Sequence, residues 1–211
     1  MGKEKNKTIA IIIIGLILLQ TIRITLELSV FCFIERTKFT DTVVSALIMA
    51  LLIFIGIILA KKKDISLSVF PQKYKLVYAA ATIIVSALII LTPIITEEQS
   101  LLAVSSLVYS SIITPIFEEL IFRGYVWNKL EKRLEKKLTV YVVTTLLFAF
   151  WHIGYIDTIL FKVDINNVPF VMLMKVITGL CFGIILGAVR YKTRNCYSTI
   201  LLHSLMNIFG R

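Results

Sequence analysis

Long apolar stretches alternate with short charged segments along almost the whole chain. A helix that crosses a bilayer needs about 20 mostly apolar residues, and seven stretches come near that length, the last being shorter. We therefore predict an all-α fold, a polytopic membrane helix bundle with about seven transmembrane helices. The seven stretches cover residues 8–33, 42–60, 76–95, 101–121, 138–156, 169–189 and 196–209.

Composition and charge refine this prediction. Hydrophobic residues make up 58% of the 211 residues, and the mean hydropathy of +0.89 is far above that of a soluble domain. Of the 23 lysines and arginines, 17 lie in the amino terminus or after the second, fourth and sixth stretches. By the positive-inside rule, we expect the amino terminus inside the cell and the carboxyl terminus outside. Because topology accounts for the net charge of +10, we expect membrane lipids as partners and no nucleic acid.

Three local patterns predict packing or surface features. Gly179, Gly183 and Gly187 form a repeated GxxxG face, which is typical of close helix packing. Residues 130–138 read LEKRLEKKL, with a leucine at every fourth position, and predict an amphipathic helix along the cytoplasmic interface. Pro115 lies inside the fourth stretch, where proline frees a backbone carbonyl and can kink the helix.

The remaining intramembrane charges and the cysteines are interpreted as structural. Arg23 and Glu27 are four residues apart in the first stretch and can neutralise each other. Cys32, Cys181 and Cys196 have no metal-ligand spacing, and we interpret them as packing residues without disulfides.

Two adjacent carboxylates, Glu118 and Glu119, stand at the end of the apolar run that begins at Leu101. A carboxylate in hydrocarbon costs about 2.5–3.5 kcal/mol even on lenient insertion scales, so a pair of them is a candidate site. The plain interpretation is a helix end at which Arg123 forms an i,i+4 ion pair with Glu119. Neighbouring side chains of a helix point about 100° apart. Glu118 must then face a buried partner, a water or a substrate.

Both histidines of the chain, His152 and His203, also lie in apolar stretches. A lone histidine is usually a hydrogen-bonded structural residue, but an intramembrane ionisable group is a functional candidate. Asn207 follows His203 by four residues and shares its helix face. If these helices meet Glu118, the bundle holds the groups needed to hydrolyse an amide bond with water. Glu118 would then be the base and His152 would orient the water, while His203 and Asn207 would donate hydrogen bonds to the oxyanion.

Three motifs on successive apolar stretches together resemble those of the CPBP family. They are EExxxR at 118–123, FxxxH at 148–152 and HxxxN at 203–207. This family includes the type II CAAX prenyl endopeptidases and bacteriocin-processing or self-immunity proteins, and the resemblance implies an intramembrane endopeptidase. It covers roughly residues 100–209. We expect a CPBP-like catalytic transmembrane core over 101–211, preceded by three amino-terminal transmembrane helices over 1–100.

The resemblance also implies the roles of the site residues and leaves the cofactor open. Members have been described both as metalloproteases and as glutamate-dependent proteases. If zinc is used, Glu118, His152 and His203 would be its ligands. A metal-bound Glu118 could not serve as the base, so a metal-free glutamate mechanism is favoured. The implied residues are Glu118, His152, His203 and Asn207 as catalytic, with Glu119 and Arg123 as a supporting pair.

The substrate is less constrained than the chemistry. The lysine- and isoleucine-rich chain points to the bacterial cytoplasmic membrane, where CAAX prenylation is not expected. We therefore expect a membrane-associated peptide or protein substrate, such as a leader peptide or a pheromone or bacteriocin precursor. The alternative is a non-catalytic bacteriocin self-immunity protein of the membrane. An ion or proton transporter is less favoured, because the polar groups cluster towards one side of the membrane.

Overall fold

The computed structural model describes residues 2–210, and side chains from residue 4 onward. Within this range the chain forms seven helices, some of which include π-helical or 3₁₀ turns, and no strand. This confirms the predicted all-α membrane bundle. Six helices are long and apolar enough to cross a membrane, and the seventh has only 13 residues. The helices are α1 (Gly2–Phe31), α2 (Lys38–Lys62), α3 (Lys75–Ile95), α4 (Leu101–Glu131), α5 (Lys137–Lys162), α6 (Val168–Thr193) and α7 (Tyr197–Phe209).

Helix α4 is irregular on both sides of the two glutamates. Its backbone is π-helical over Tyr109–Ile113 and again over Leu120–Val126, with one α-helical stretch, Thr114–Glu119, between them. Pro115 is the second residue of that stretch. Such π-helical turns are rare and often occur at functional sites.

Helices α5 and α6 pack closely along the predicted glycine face. A Cβ atom placed on Gly183 would lie 3.0 Å from Thr145 Cγ2, and one on Gly187 would lie 2.6 Å from a Tyr141 ring carbon. Real Cβ atoms make few contacts this short, so only glycine allows the two backbones to approach so closely. The GxxxG prediction is confirmed.

The predicted interfacial helix over residues 130–138 is wrong. Helix α4 ends at Glu131, residues 132–136 form a turn, and α5 begins at Lys137. Leu130 is buried in the bundle, whereas Leu138 is 67% exposed. The three leucines therefore do not share one helix face, because residues 132–136 form the turn in which the chain reverses between α4 and α5.

Polar contacts join α1 to the rest of the bundle. Gln20 Nε2 donates to the Trp151 carbonyl at 3.1 Å, and Arg23 Nη2 donates to the Gly154 carbonyl at 2.7 Å. The expected Arg23–Glu27 ion pair is present, with Nη1 and Oε1 2.8 Å apart. Helix α1 therefore packs directly on α5.

Successive loops lie at opposite ends of the bundle, as expected when consecutive helices cross the membrane in opposite directions. Lys5 lies 2.9 Å from Glu135, so the start of α1 and the turn after α4 share one end. Arg36 lies 3.5 Å from Asp157, which places the α1–α2 loop beside the last part of α5 at the other end. Which end faces the cytoplasm stays a prediction.

The cysteines differ from the packing interpretation. Cys196 is buried, but Cys32 and Cys181 are exposed, and all three are free thiols. Cys181 lies on a face of α6 whose other exposed side chains include Ile177, Ile184 and Ile185, as expected at a lipid-facing surface, whereas Cys32 lies in the turn after α1.

Candidate active site

The two adjacent glutamates of α4 have different partners. Arg123 Nη1 donates to Glu119 Oε1 at 2.9 Å, and the Arg123 guanidinium stacks on the Phe148 ring 4.1 Å from its centroid. Glu118 points elsewhere, and its Oε1 accepts a 2.6 Å hydrogen bond from the Tyr155 hydroxyl. Both carboxylates are buried. Glu119 is therefore the partner of Arg123, whereas Glu118 bonds to Tyr155 through Oε1. The other oxygen of Glu118, Oε2, is not used in that bond.

His203 of α7 lies between the two carboxylates. Its Nδ1 is 3.0 Å from Glu119 Oε1, and its Nε2 is 3.9 Å from Glu118 Oε2. An ionised carboxylate only accepts hydrogen bonds, so Nδ1 carries the hydrogen. Nε2 is then an acceptor when the ring is neutral. The distance to Glu118 is too long for a direct hydrogen bond.

His152 lies where the regular α-helical part of α5 ends. The helix tightens into a 3₁₀ turn over His152–Tyr155, which brings the His152 and Tyr155 rings to 5.9 Å between centroids. His152 Nδ1 lies 2.8 Å from the Phe148 carbonyl oxygen, so this nitrogen also carries the hydrogen. A Cβ atom on Gly179 would lie 2.6 Å from the same nitrogen. The glycine face of α6 therefore also makes room for His152.

Asn207 bonds to the irregular part of α4. The Thr114 N–H donates to the Tyr109 carbonyl, five residues back. The next such bond would join residue 115 to the Ser110 carbonyl, but Pro115 has no N–H. Asn207 Nδ2 donates to that carbonyl instead, at 2.7 Å. The second hydrogen of this amide remains for another acceptor.

These side chains meet on one cavity of about 560 Å³ between α4, α5, α6 and α7. Its size is within the usual range for ligand sites, roughly 300–1,000 Å³. Glu119 and Arg123 do not line it. Glu119 instead contacts His203 Nδ1 outside the cavity and pairs with Arg123 on α4. The predicted residues that line it are Glu118, His152, His203 and Asn207.

Two residues of the cavity were not singled out from the sequence. Tyr155, the hydrogen-bond donor to Glu118, carries no sequence signal of a functional role, because tyrosine is generally enriched near both membrane interfaces. Lys175 of α6 also lines the cavity, with Nζ 5.4 Å from the centroid of the Tyr155 ring. A lysine within an apolar span is a functional candidate by itself, and this signal could have found it.

The proposed zinc ligands do not form a metal site as they are placed. Among the residues that the structure describes, no three His, Cys, Asp or Glu side chains lie in an arrangement that could hold a metal ion. His152 and His203 also use their Nδ1 atoms on other acceptors, and Glu118 uses one oxygen on Tyr155.

Comparison with protein families supports the resemblance seen in the motifs. The family model described as type II CAAX prenyl endopeptidase Rce1-like matches residues 100–209, just over half of the chain. The protein belongs to this family. The match includes all six predicted site residues, and it places this Rce1-like protein among the membrane proteases. No curated protein and no solved structure matches the chain.

Proposed function

We propose that this Rce1-like protein is an intramembrane endopeptidase in which Glu118 activates a water molecule to cleave a peptide bond. The observation that carries the proposal is the convergence of one carboxylate, two imidazoles and one amide on a single cavity inside the bundle. Glu118 is the only one of the two glutamates that lines this cavity. A base must reach the reacting proton, so Glu118 and not Glu119 takes this role.

The water would be held between Glu118 and His203. Glu118 Oε2 and His203 Nε2 are 3.9 Å apart, and both accept hydrogen bonds, so one water can donate a hydrogen to each. His203 thus helps to hold the nucleophile, a role the sequence analysis gave to His152. His152 Nε2 is a further acceptor at the same cavity.

Hydrolysis proceeds through a tetrahedral intermediate. The water oxygen bonds to the carbonyl carbon while Glu118 takes one of the water protons. The C–N bond then breaks, and Glu118 passes this proton to the nitrogen of the leaving amine. One carboxyl product and one amine product result, and Glu118 returns to its ionised form.

The oxyanion of that intermediate needs hydrogen-bond donors. Asn207 has one N–H on the Ser110 carbonyl and a second N–H to donate, so it suits this role in any protonation state of the site. A neutral His152 or His203 offers no N–H there, because its single hydrogen is already on Nδ1. Either imidazole would donate to the oxyanion only when both ring nitrogens are protonated.

The position of the cavity within the apolar bundle supports a membrane-associated substrate. Tyr155 is buried, and Val171, Met174 and Phe182 of α6 give the cavity an apolar wall. A leader peptide, or a pheromone or bacteriocin precursor, in the bacterial cytoplasmic membrane is the substrate class that we propose.

The test compares wild type and Glu118→Gln in cells that produce the protein. Glutamine keeps the shape of the side chain but cannot take a proton, so we expect cleavage to be lost. Mass spectrometry of the membrane and secreted peptide fractions should show a precursor that accumulates only in the variant. Glu98→Gln is the matched control, because Glu98 is an exposed carboxylate outside the cavity.

Identical peptide profiles in wild type and Glu118→Gln, with both proteins present in the membrane, would contradict the protease proposal. If a bacteriocin-protection phenotype also survived the substitution, the non-catalytic self-immunity function would replace it.

A further inference from the structure

A second cavity lies between α1, α2 and α4, on a different side of α4 from Glu118. Its volume is about 310 Å³, and it shares no lining residue with the candidate active site. Its walls are almost entirely aliphatic or aromatic, and they include Ile12, Leu16, Leu52 and Phe117. Such walls suit hydrocarbon but cannot satisfy the polar groups of a peptide backbone.

Two glycines provide the space. Gly15 of α1 and Gly56 of α2 line the cavity, and a Cβ atom on either would meet no atom within 4 Å. Ile11 and Ile57 also line it and are 52% and 46% exposed. The cavity therefore opens towards the lipid-facing surface of the bundle.

A smaller pocket of about 180 Å³, which we call the basic mouth, adjoins this cavity. Lys63 and Tyr125 line both spaces, and the mouth adds Lys129 and Lys132. Asp64 is the one carboxylate among its lining residues. Within the described part of the chain, none of the three lysines has a carboxylate oxygen within 4.0 Å. The mouth thus carries a surplus of positive charge.

We propose that the apolar cavity and the basic mouth together bind one anionic phospholipid. An acyl chain occupies the cavity, and the phosphate lies among Lys63, Lys129 and Lys132. Lysines close to a membrane surface attract anionic lipids, and the three lysines lie at the end of the bundle that the positive-inside rule assigns to the cytoplasm. The apolar walls, the opening towards lipid and the charge of the mouth each match a different part of the same ligand.

The bound lipid would contact the helix that carries the proposed base. Phe117 forms part of the cavity wall and directly precedes Glu118. The lipid site therefore lies next to the catalytic stretch without entering the candidate active site.

Native mass spectrometry of the purified full-length protein in detergent tests the proposal. Phosphatidylglycerol and phosphatidylcholine with identical acyl chains are added in parallel, and wild type should retain phosphatidylglycerol preferentially. One lysine near an anionic lipid is worth about fivefold in affinity. The triple variant Lys63→Gln, Lys129→Gln, Lys132→Gln should therefore lose on the order of 100-fold and show no preference between the lipids.

A matched triple variant controls for net charge. Lys73→Gln, Lys75→Gln, Lys192→Gln removes the same charge from the same predicted side, but these lysines line neither space. It should keep the preference for phosphatidylglycerol. Gly56→Leu should reduce retention of both lipids, since leucine fills the cavity, without lowering the melting temperature in detergent alone.

Equal retention of the two lipids by wild type would overturn the proposal. So would equal losses in the two triple variants, because binding would then depend on total charge and not on the mouth. Undiminished lipid retention by Gly56→Leu would show that the acyl chain lies elsewhere and would also overturn it.

Discussion

At the scale of single residues, the neighbours of the two glutamates separate their tasks. Glu119 Oε1 accepts hydrogen bonds from the Arg123 guanidinium and from His203 Nδ1, and Glu119 does not line the cavity. Glu118 has one donor, the Tyr155 hydroxyl, and one oxygen that faces His203 across 3.9 Å. Glu119 thus has its Oε1 engaged by the protein and lies away from the cavity, while Glu118 keeps an oxygen for chemistry.

Tyr155→Phe tests the orientation of the base. The substitution removes the 2.6 Å hydrogen bond and leaves Glu118 Oε1 buried without that donor. Hydrogen bonds to charged groups are worth about 1.5–3 kcal/mol, so we expect kcat to fall roughly 10- to 100-fold. KM should change little, because the hydroxyl contacts the base and not the substrate.

Steady-state kinetics on the substrate found with Glu118→Gln would measure this effect. Tyr191→Phe is the control, since Tyr191 is exposed and lies outside the cavity. An unchanged kcat in Tyr155→Phe would show that Glu118 is held in place without Tyr155.

At the scale of elements, the irregular backbone of α4 places Asn207. In a regular helix each backbone carbonyl accepts a hydrogen bond from an N–H of the next turn, and a proline leaves one carbonyl without this donor. The π-helical turn and Pro115 together leave the Ser110 carbonyl without a helical donor, and the amide of Asn207 supplies one from α7. The kink expected from Pro115 thus appears as a change of helix type that ties α4 to α7.

Pro115→Ala should separate activity from stability. Alanine restores an N–H that can donate to the Ser110 carbonyl and continue the π-helical pattern, so Asn207 would lose its anchor. We expect lower kcat but an unchanged or higher melting temperature in detergent, because helix interiors favour alanine over proline by about 3 kcal/mol. Pro93→Ala, within α3, is the matched control and should leave kcat unchanged. Full activity with lower stability in Pro115→Ala would contradict this account of α4.

At the scale of the whole molecule, the amino-terminal helices are joined to the site. Arg23 of α1 is fully buried, pairs with Glu27 and donates to the Gly154 carbonyl. Its guanidinium also stacks on the Tyr155 ring at 4.8 Å. A charge in α1 therefore contacts the residue that bonds to Glu118, although the family match covers only residues 100–209.

Arg23→Met should destabilise the whole bundle. Removing one partner of a buried pair leaves the other charge uncompensated, which costs about 3–5 kcal/mol in the free energy of unfolding. The double variant Arg23→Met, Glu27→Gln should recover much of this loss, since residue 27 is then uncharged and Asp157, 3.4 Å from Arg23, still has Arg36 at 3.5 Å. Unfolding by denaturant in detergent would measure both. A double variant no more stable than the single one would show that the pair itself is not the cause.

The number of helices, the approximate position of each apolar span, the three motifs and the charged residues inside the membrane could all be read from the sequence. The ends of the helices could not, since the span predicted at 101–121 continues as a helix to Glu131. Hydrocarbon imposes these features locally: a span needs a fixed length of apolar chain, and every intramembrane charge is costly enough to stand out. The i,i+4 spacing of Glu119 and Arg123 likewise predicted their ion pair from helix geometry alone.

Which polar groups face one another could be seen only once the helices were packed together. Tyr155 bonds to Glu118 across 37 residues of sequence, and Asn207 reaches Ser110 across 97. The turn after Glu131 also overrode a leucine pattern that was consistent with a continuous helix. Such contacts depend on how separate helices are rotated and tilted against each other, and apolar periodicity does not specify rotation when most helix faces meet lipid.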